Sequence, residues 1–265
     1  MMRTTLICAL TLTLALGIVL RHADAKVIGA WLFDEGKGDT TKDSSGNDID
    51  GVLVGGPVWV EGKFGKALNC TDNKYIDFPP PTPEPLMIKK EVTFMAWVKP
   101  DQFRSAWNVV FSMQRGSSNG EAYALTLGNS SSPGLIMAFI NADANVRVDD
   151  LGKLQIGEWV HIAGVYDGSK LALYKNGEQV SEVAVTGNLN HEDRKGRFVI
   201  NGNYNSLDGG LAEWVRATID EVLIFDEVLT GDEIRAYMEK GFANVAAVDG
   251  ADKLTTTWGE LKASQ

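Results

Sequence analysis

Short apolar or alternating runs, separated by glycine, asparagine, aspartate and proline, dominate residues 26–226. Segments with the period of an α-helix are almost absent there, whereas about a dozen runs have the length and composition of β-strands. The run 91–99 is typical, because its even-numbered residues are all apolar and would share one face of a sheet. So many short strands at this spacing predict an all-β, two-sheet antiparallel sandwich.

Local turn and cap signals refine this picture. Asp167-Gly168 and Asn176-Gly177 stand between strand-like runs, and both pairs favour the positive φ angles of tight hairpins. Further along, Thr230 and Glu233 have the spacing of a capping box, and Gly241 follows the last apolar position. We therefore predict two hairpins within the sandwich and one short amphipathic helix after it.

The first residues have the pattern of an export signal. Arg3 precedes an apolar run over residues 6–20, and small residues flank a cleavage site after Ala25. A retained membrane anchor is the alternative, but the run is shorter than the roughly 20 apolar residues of a spanning helix. We expect a secreted, periplasmic or cell-surface protein. The predicted organisation is a signal peptide at 1–25, one domain at 26–243 and a tail at 244–265.

Charge and cysteine content restrict the partners and the means of stabilisation. The chain has 35 Asp and Glu against 25 Lys and Arg. Nucleic acids and anionic membranes require a basic face, so neither is expected as a partner, and no later segment could insert into a membrane. Cys70 is the single cysteine after the predicted leader, which excludes an intramolecular disulfide. The fold must then be stabilised by core packing or a bound ion.

Seven short sequence motifs follow one another along the chain. They cover residues 28–36, 43–47, 62–68, 94–100, 157–168, 173–177 and 219–224. Together they resemble the laminin-G-like, pentraxin-type domains of the concanavalin A-like lectin and glucanase superfamily, from Lys26 to about Gly241. The resemblance implies a jelly-roll of two curved antiparallel sheets, often with calcium. It implies function less directly, because lectins, glycoside hydrolases and adhesion modules share this scaffold.

Two glycine-containing acidic loops, 34–39 and 43–48, offer the carboxylate and amide oxygens that calcium prefers. In the family that the chain resembles, an ion often ties the N-terminal strand to the last strand, where an aspartate stands at the place of Asp220. We therefore expect a structural calcium ion. Its predicted ligands are Asp34 and Asp220, followed by Asp43 and Asn47. The alternative is that these side chains cap turns without an ion.

Enzymatic activity is not expected. Glycoside hydrolysis needs two carboxylates across a cleft, and laminarinase-like members of the superfamily carry them as Glu-x-Asp-x-Glu on one strand. The chain lacks that motif, and its nearest acidic segment, 220–227, lacks the alternation. Beyond the leader, His161 and His191 are the only histidines, and no Gly-x-Ser-x-Gly is present. His161 shares a strand face with Trp159, as packing residues of the family do.

A sugar site would need aromatic platforms with polar groups beside them on loops. The candidate residues are Trp107, Tyr123, Arg147, Tyr204 and Trp214. The alternative for both tryptophans is that they plug the ends of the sandwich. We therefore predict a non-catalytic binding module for a glycan or a cell-surface glycoprotein. A structural adhesion component that contacts proteins through sheet faces or the tail segment 254–261 is the second interpretation, and a divergent hydrolase the third.

Overall fold

The structure is a computed structural model that describes residues 26–115, 120–150, 152–191, 196–204 and 210–247. The predicted signal peptide and tail segment 254–261 lie outside the described residues. Within the described ranges, no helix is both long enough and apolar enough to cross a bilayer.

Two 8-stranded antiparallel sheets form a sandwich, which confirms the predicted all-β jelly-roll. Sheet A contains, in spatial order, β14 (Glu178–Ala184), β13 (Lys170–Lys175), β12 (Val160–Tyr166), β7 (Val92–Gln102), β18 (Arg216–Phe225), β5 (Lys66–Cys70) and β4 (Val58–Glu61), and β1 (Val27–Trp31) also pairs with β18. Sheet B contains β11 (Asn145–Asp150), β10 (Ile136–Asn141), β9 (Glu121–Thr126), β8 (Val109–Gln114), β15 (Phe198–Ile200), β6 (Tyr75–Asp77), β3 (Gly51–Val54) and β2 (Thr40–Thr41). A separate hairpin joins β16 (Asn203–Tyr204) to β17 (Leu211–Glu213).

Both predicted hairpins of sheet A are present. The β12–β13 turn contains Gly168 at φ 82°, and the β13–β14 turn contains Asn176 and Gly177 at φ 49° and 80°. Asparagine and glycine tolerate this left-handed region better than other residues, which is why these pairs occupy the turns.

Aromatic residues fill the space between the two sheets. Trp31 is fully buried, stacks on Phe198 at 5.2 Å and meets Phe78 edge-on at 4.9 Å between ring centroids. Its Nε1 donates to the Ile49 carbonyl at 2.8 Å, so the one polar atom of the indole is paired. Burial of such large rings is the main source of stability for a domain without disulfides.

The predicted helix is α1 (Gly231–Lys240), and it begins with the predicted capping box between Thr230 and Glu233. Its apolar side packs with outward-facing residues of sheet A, including Phe225, whose ring centroid lies 5.1 Å from that of Tyr237. A short 3₁₀ helix spans Glu84–Leu86. Residues 242–247 are also helical and pack against the same cluster, which places the start of the predicted tail on the domain.

Candidate functional site

A row of outward-facing side chains crosses sheet B. The strand register aligns Arg147 on β11, Phe139 on β10, Ala124 on β9 and Ser112 on β8. The neighbours of Phe139 along β10 belong to the core, so alternation directs Phe139 to the outer face. The helix α1 packs on sheet A, and within the described chain its apolar cluster contains no residue of sheet B. Ser112 and Ala124 are nevertheless buried, whereas Phe139 is half-buried and Arg147 is exposed, so the β10–β11 end of this row is the part accessible to a ligand.

Trp107, Phe139 and Arg147 form what we call the platform. The Trp107 and Phe139 rings meet edge-on with centroids 5.5 Å apart, and both side chains are half-buried. Arg147 is exposed, and its Nε lies 3.2 Å from the Asp149 carboxylate. Edge-to-face geometry leaves part of each ring surface free while holding both rings in place. The structure thus brings two predicted site residues, Trp107 and Arg147, to one aromatic ring that sequence reasoning missed.

The loop that carries Trp107 is held from beneath by Asn108. This asparagine is fully buried, and its side chain accepts from the Arg104 N–H at 2.8 Å and donates to the Ala106 carbonyl at 2.9 Å. A side chain that satisfies several backbone groups fixes a loop without regular secondary structure. Trp107 is therefore presented from a rigid support.

Trp214 lies against the same loop. The Arg104 guanidinium sits 3.8 Å above the Trp214 ring, and its Nη1 donates to the Trp214 carbonyl at 3.1 Å. Trp214 is half-buried. The cation–π contact and the hydrogen bond together tie the segment before β18 to the loop that presents Trp107.

The two predicted tyrosines are not surface platforms. Tyr123 is fully buried in the core between the sheets and donates to the Leu86 carbonyl at 3.0 Å, so it is closed to a ligand. Tyr204 is 5% exposed, packs against the Arg197 guanidinium at 3.9 Å and donates to the Asp77 carboxylate at 2.9 Å. Its role is to anchor β16 to sheet B.

Two carboxylates that sequence reasoning missed meet beside this hairpin. The Asn203 Nδ2 donates to Glu121 Oε1 and, at 3.4 Å, to Glu213 Oε2. The amide is oriented because its oxygen accepts from Ser112 Oγ and Gln114 Nε2, each at 3.3 Å. Burial raises the pKa of both glutamates, and the hydrogen bond from Asn203 partly opposes this rise. The negative charge of Glu121 raises the pKa of Glu213 further. The two glutamates lie far apart in the sequence, so no local sequence motif predicts that they meet.

Asp43 and Asn47, two of the predicted calcium ligands, fasten β1. The Asp43 carboxylate accepts from the Ala30 and Ser45 N–H groups, both at 2.9 Å, and from the Ile49 N–H at 3.1 Å. Asn47 Nδ2 donates to the Val27 and Ile28 carbonyls at 3.1 and 3.0 Å. These contacts are those of the turn-capping alternative.

Asp34 and Asp220 hold a different turn. Asp34 Oδ1 accepts from the Lys66 N–H at 2.7 Å, while Asp220 Oδ2 accepts from the Lys63 and Phe64 N–H groups at 2.7 and 3.0 Å. Burial raises the pKa of Asp220 to about 8, against the effect of these donors. No group of three or more His, Cys, Asp or Glu in the described residues could hold a metal. As placed, the four side chains do not fit one shared ion, and calcium stays a prediction.

The two packed antiparallel sheets define a jelly-roll sandwich. A laminin G family model, described as the concanavalin A-like lectin/glucanases superfamily, matches residues 71–235. The chain belongs to this superfamily, as its motifs indicate. No curated protein matches the chain.

Solved structures share the fold at low sequence identity. Domain 4 of an extracellular arabinanase from Geobacillus stearothermophilus, solved with arabinotriose, is 19% identical, covers 81% of this chain and 99% of its own, and has a TM-score of 0.62. The binding domain of Paraclostridial Mosquitocidal Protein 1 is 14% identical, with 80% and 52% covered and a TM-score of 0.59. Trypanosoma rangeli sialidase is 14% identical, with 80% and 33% covered and a TM-score of 0.56. Binding domains and enzymes thus both contain this fold.

Proposed function

We propose that this protein is an exported, non-catalytic module that binds carbohydrate, free or on a surface glycoprotein, through the platform. One observation carries the proposal: the half-buried ring of Phe139 meets the half-buried ring of Trp107 and pairs in register with the exposed Arg147 at the accessible β10–β11 end of sheet B. Export is supported by the charged, apolar and small-residue pattern of residues 1–25. A structural calcium ion that fixes the loops remains part of the proposal and is tested separately.

The chemistry of the platform suits a sugar. The apolar C–H face of a sugar ring packs on an aromatic ring, while its hydroxyls need donors and acceptors at the ring edge. Arg147 supplies guanidinium donors and Asp149 supplies carboxylate acceptors, both in the same cross-strand neighbourhood as Phe139. Because Asn108 holds the Trp107 loop in place, binding would order few groups and lose little entropy.

The structural relatives lend support of a general kind. The arabinanase domain was solved with arabinotriose, and the same fold serves as a toxin binding domain. At identities below 25%, these similarities concern the fold, so the ligand must come from experiment. Arabino-oligosaccharides are a reasonable first probe, and a broad glycan array is the second.

The test is binding of the mature protein, residues 26–265, to arabino-oligosaccharides and to a glycan array. Trp107→Ala and Phe139→Ala should each weaken binding about tenfold or more, equivalent to about 1.4 kcal/mol. Trp59→Ala is the matched control, because Trp59 is a half-buried tryptophan on the remote strand β4 of sheet A. Equal affinity of the platform variants and the control would refute the proposal. A folded protein that binds no glycan would favour the adhesion interpretation.

One observation favours a second candidate function, glycan hydrolysis. Glu121 and Glu213 share the Asn203 amide and have raised pKa values, which is the arrangement in which one carboxyl can stay protonated as an acid. Incubation of bound oligosaccharides with the protein, followed by measurement of new reducing ends, tests it. Turnover that Glu121→Gln and Glu213→Gln both abolish would establish hydrolysis. We expect no turnover, with binding retained.

A further inference from the structure

The loops after β7, before β10 and after β11 form a groove near the platform. Its volume is about 480 Å³, within the range of about 300–1,000 Å³ that is usual for small-molecule sites. The lining residues are Phe103, Pro133, Lys153, Leu154, Gln155 and Ile156. We call this the loop groove.

The loop groove is held open by backbone contacts. The Leu154 N–H donates to the Gly134 carbonyl at 2.9 Å, and the Gly157 N–H donates to the Pro100 carbonyl at 2.8 Å. Gly134 has φ 83°, and a Cβ at this position would lie 2.9 Å from the Phe103 ring. The close approach of the Phe103 ring to this backbone therefore needs glycine, and the groove is preformed rather than created by binding.

The lining combines apolar surface with hydrogen-bond donors. Ile156 is 59% exposed, the highest value among the large exposed hydrophobic side chains of the described chain. Lys153 and Gln155, beside it, are exposed polar side chains. None of the six described lining residues carries a carboxylate. A neutral or acidic sugar ring could cover the isoleucine with its C–H face while its hydroxyls accept from the ammonium and the amide.

The β10–β11 hairpin places the loop groove within reach of the platform. Arg147 pairs with Phe139 and Asp150 with Ile136 along this hairpin, and the Leu154 N–H to Gly134 hydrogen bond lies a few residues beyond its last pair. Gly134 precedes Phe139 by five residues, at most about 17 Å of extended chain at roughly 3.4 Å per residue. A chain of sugars lying along the hairpin would therefore reach from one site to the other.

The same loop also connects the two sites. Phe103 lines the groove, Trp107 belongs to the platform, and the Asn108 side chain fixes the loop that contains both. The distance between the two sites is therefore set by the scaffold and does not vary with a flexible linker. Two sites at a fixed spacing are suited to one extended ligand.

We propose that the loop groove is a second subsite for the same carbohydrate chain, so that the ligand is an oligosaccharide long enough to cover both the groove and the platform. The inference rests on the proposed function, because the platform defines the first subsite. A monosaccharide or disaccharide would occupy the platform alone, and only longer chains would reach Ile156.

The experiment is calorimetric titration of the mature protein with a size ladder of arabino-oligosaccharides, from the dimer to the octamer. Affinity should rise with length beyond the trimer. Ile156→Ser should weaken octamer binding about five- to tenfold and leave dimer binding unchanged, because it removes exposed apolar area that only the longer ligand buries. Trp107→Ala should weaken binding of both ligands. Val58→Ser, at an exposed valine on the remote strand β4, is the control.

The two proposals fail in different ways. If Trp107→Ala weakens binding at every length and Ile156→Ser changes none, the loop groove is not a subsite and the platform stands. If the wild-type protein binds every length equally, the second subsite is likewise refuted. If neither an arabino-oligosaccharide nor any glycan of the array binds, or if Trp107→Ala binds normally, the platform and the inference that depends on it are both overturned. Ile156 is exposed, so its replacement should not disturb folding.

Discussion

Replacing His161 by phenylalanine should make the protein more resistant to acid. The His161 side chain is 2% exposed, and its ring centroid lies 5.3 Å from that of Trp97. Burial, with a smaller contribution from the positive charge of Lys63, lowers the pKa of His161 from 6.5 to about 3. The native state therefore keeps the imidazole neutral at pH values where the unfolded chain protonates it.

The direction and size of the effect follow from proton linkage. Between pH 6.5 and about 3 the unfolded state binds more protons at His161 than the native state does, so the free energy of unfolding falls as the pH is lowered. Each pH unit between 6.5 and about 3 costs somewhat more than 1 kcal/mol, so pH 4.5 costs roughly 3 kcal/mol. Phenylalanine keeps a ring against Trp97 and removes this loss.

Urea unfolding followed by tryptophan fluorescence at pH 7.0 and pH 4.5 measures the difference. The wild-type protein should lose roughly 3 kcal/mol more than His161→Phe between the two pH values. His191→Phe is the control, because burial also lowers the pKa of His191 but this variant retains the contribution of His161. If wild type and His161→Phe lose the same free energy, the buried imidazole is not kept neutral and the reasoning is wrong.

Three further variants test packing and polar contacts. Asp43→Ala should destabilise the domain by about 2–4 kcal/mol, because several backbone N–H groups lose their acceptor. The loss should be the same in EDTA and in millimolar calcium. A thermal melt in which calcium stabilises only the wild type would instead show that Asp43 binds the ion. Gly164→Ala should cost about 1–3 kcal/mol in urea unfolding, because the new Cβ would lie 2.3 Å from the Phe94 ring; unchanged stability would mean that the ring moves freely. Asp77→Ala should lower the free energy of unfolding by about 2–3 kcal/mol, because Arg197 loses its carboxylate partner. This is less than the loss expected for a fully buried ion pair, since both side chains are partly exposed. A loss below 1 kcal/mol in the same assay would contradict this estimate.

Local signals in the sequence predicted local structure well. Asn176 and Gly177 have the positive φ angles that their turn requires, and the Thr230–Glu233 capping box starts α1. In each case the residues that determine the conformation lie within a few positions of one another, so their chemistry can be read directly from the chain.

The candidate site depends on contacts that the sequence does not display. Phe139 lies in a run that is apolar at nearly every position, so alternation did not reveal its outward face. Tyr123 alternates with Leu125 and Leu127 and lies in the core with them, so its ring faces inward although its side chain is aromatic and polar. Glu121 and Glu213 meet only because the β16–β17 hairpin folds back onto sheet B. Tertiary packing set each of these positions.

The acidic loops illustrate a different limit. Aspartate, asparagine and glycine in a short loop are typical both of calcium ligands and of turns in which side chains cap the backbone. The sequence pattern of Asp43 and Asn47 was compatible with both, and the distinction lies in which atoms face the carboxylate oxygens. Here those atoms are backbone N–H groups.

The central place of β18 in sheet A has a consequence for how the protein is made. This last strand of the sandwich pairs with β7 on one side and with β5 and β1 on the other. Sheet A cannot be completed until almost the whole domain has left the ribosome. Until then, the strands that are synthesised earlier have unpaired edges. Pairing over such long sequence separations is slow. A nascent chain of this topology should remain unfolded for longer, which would suit the proposed export.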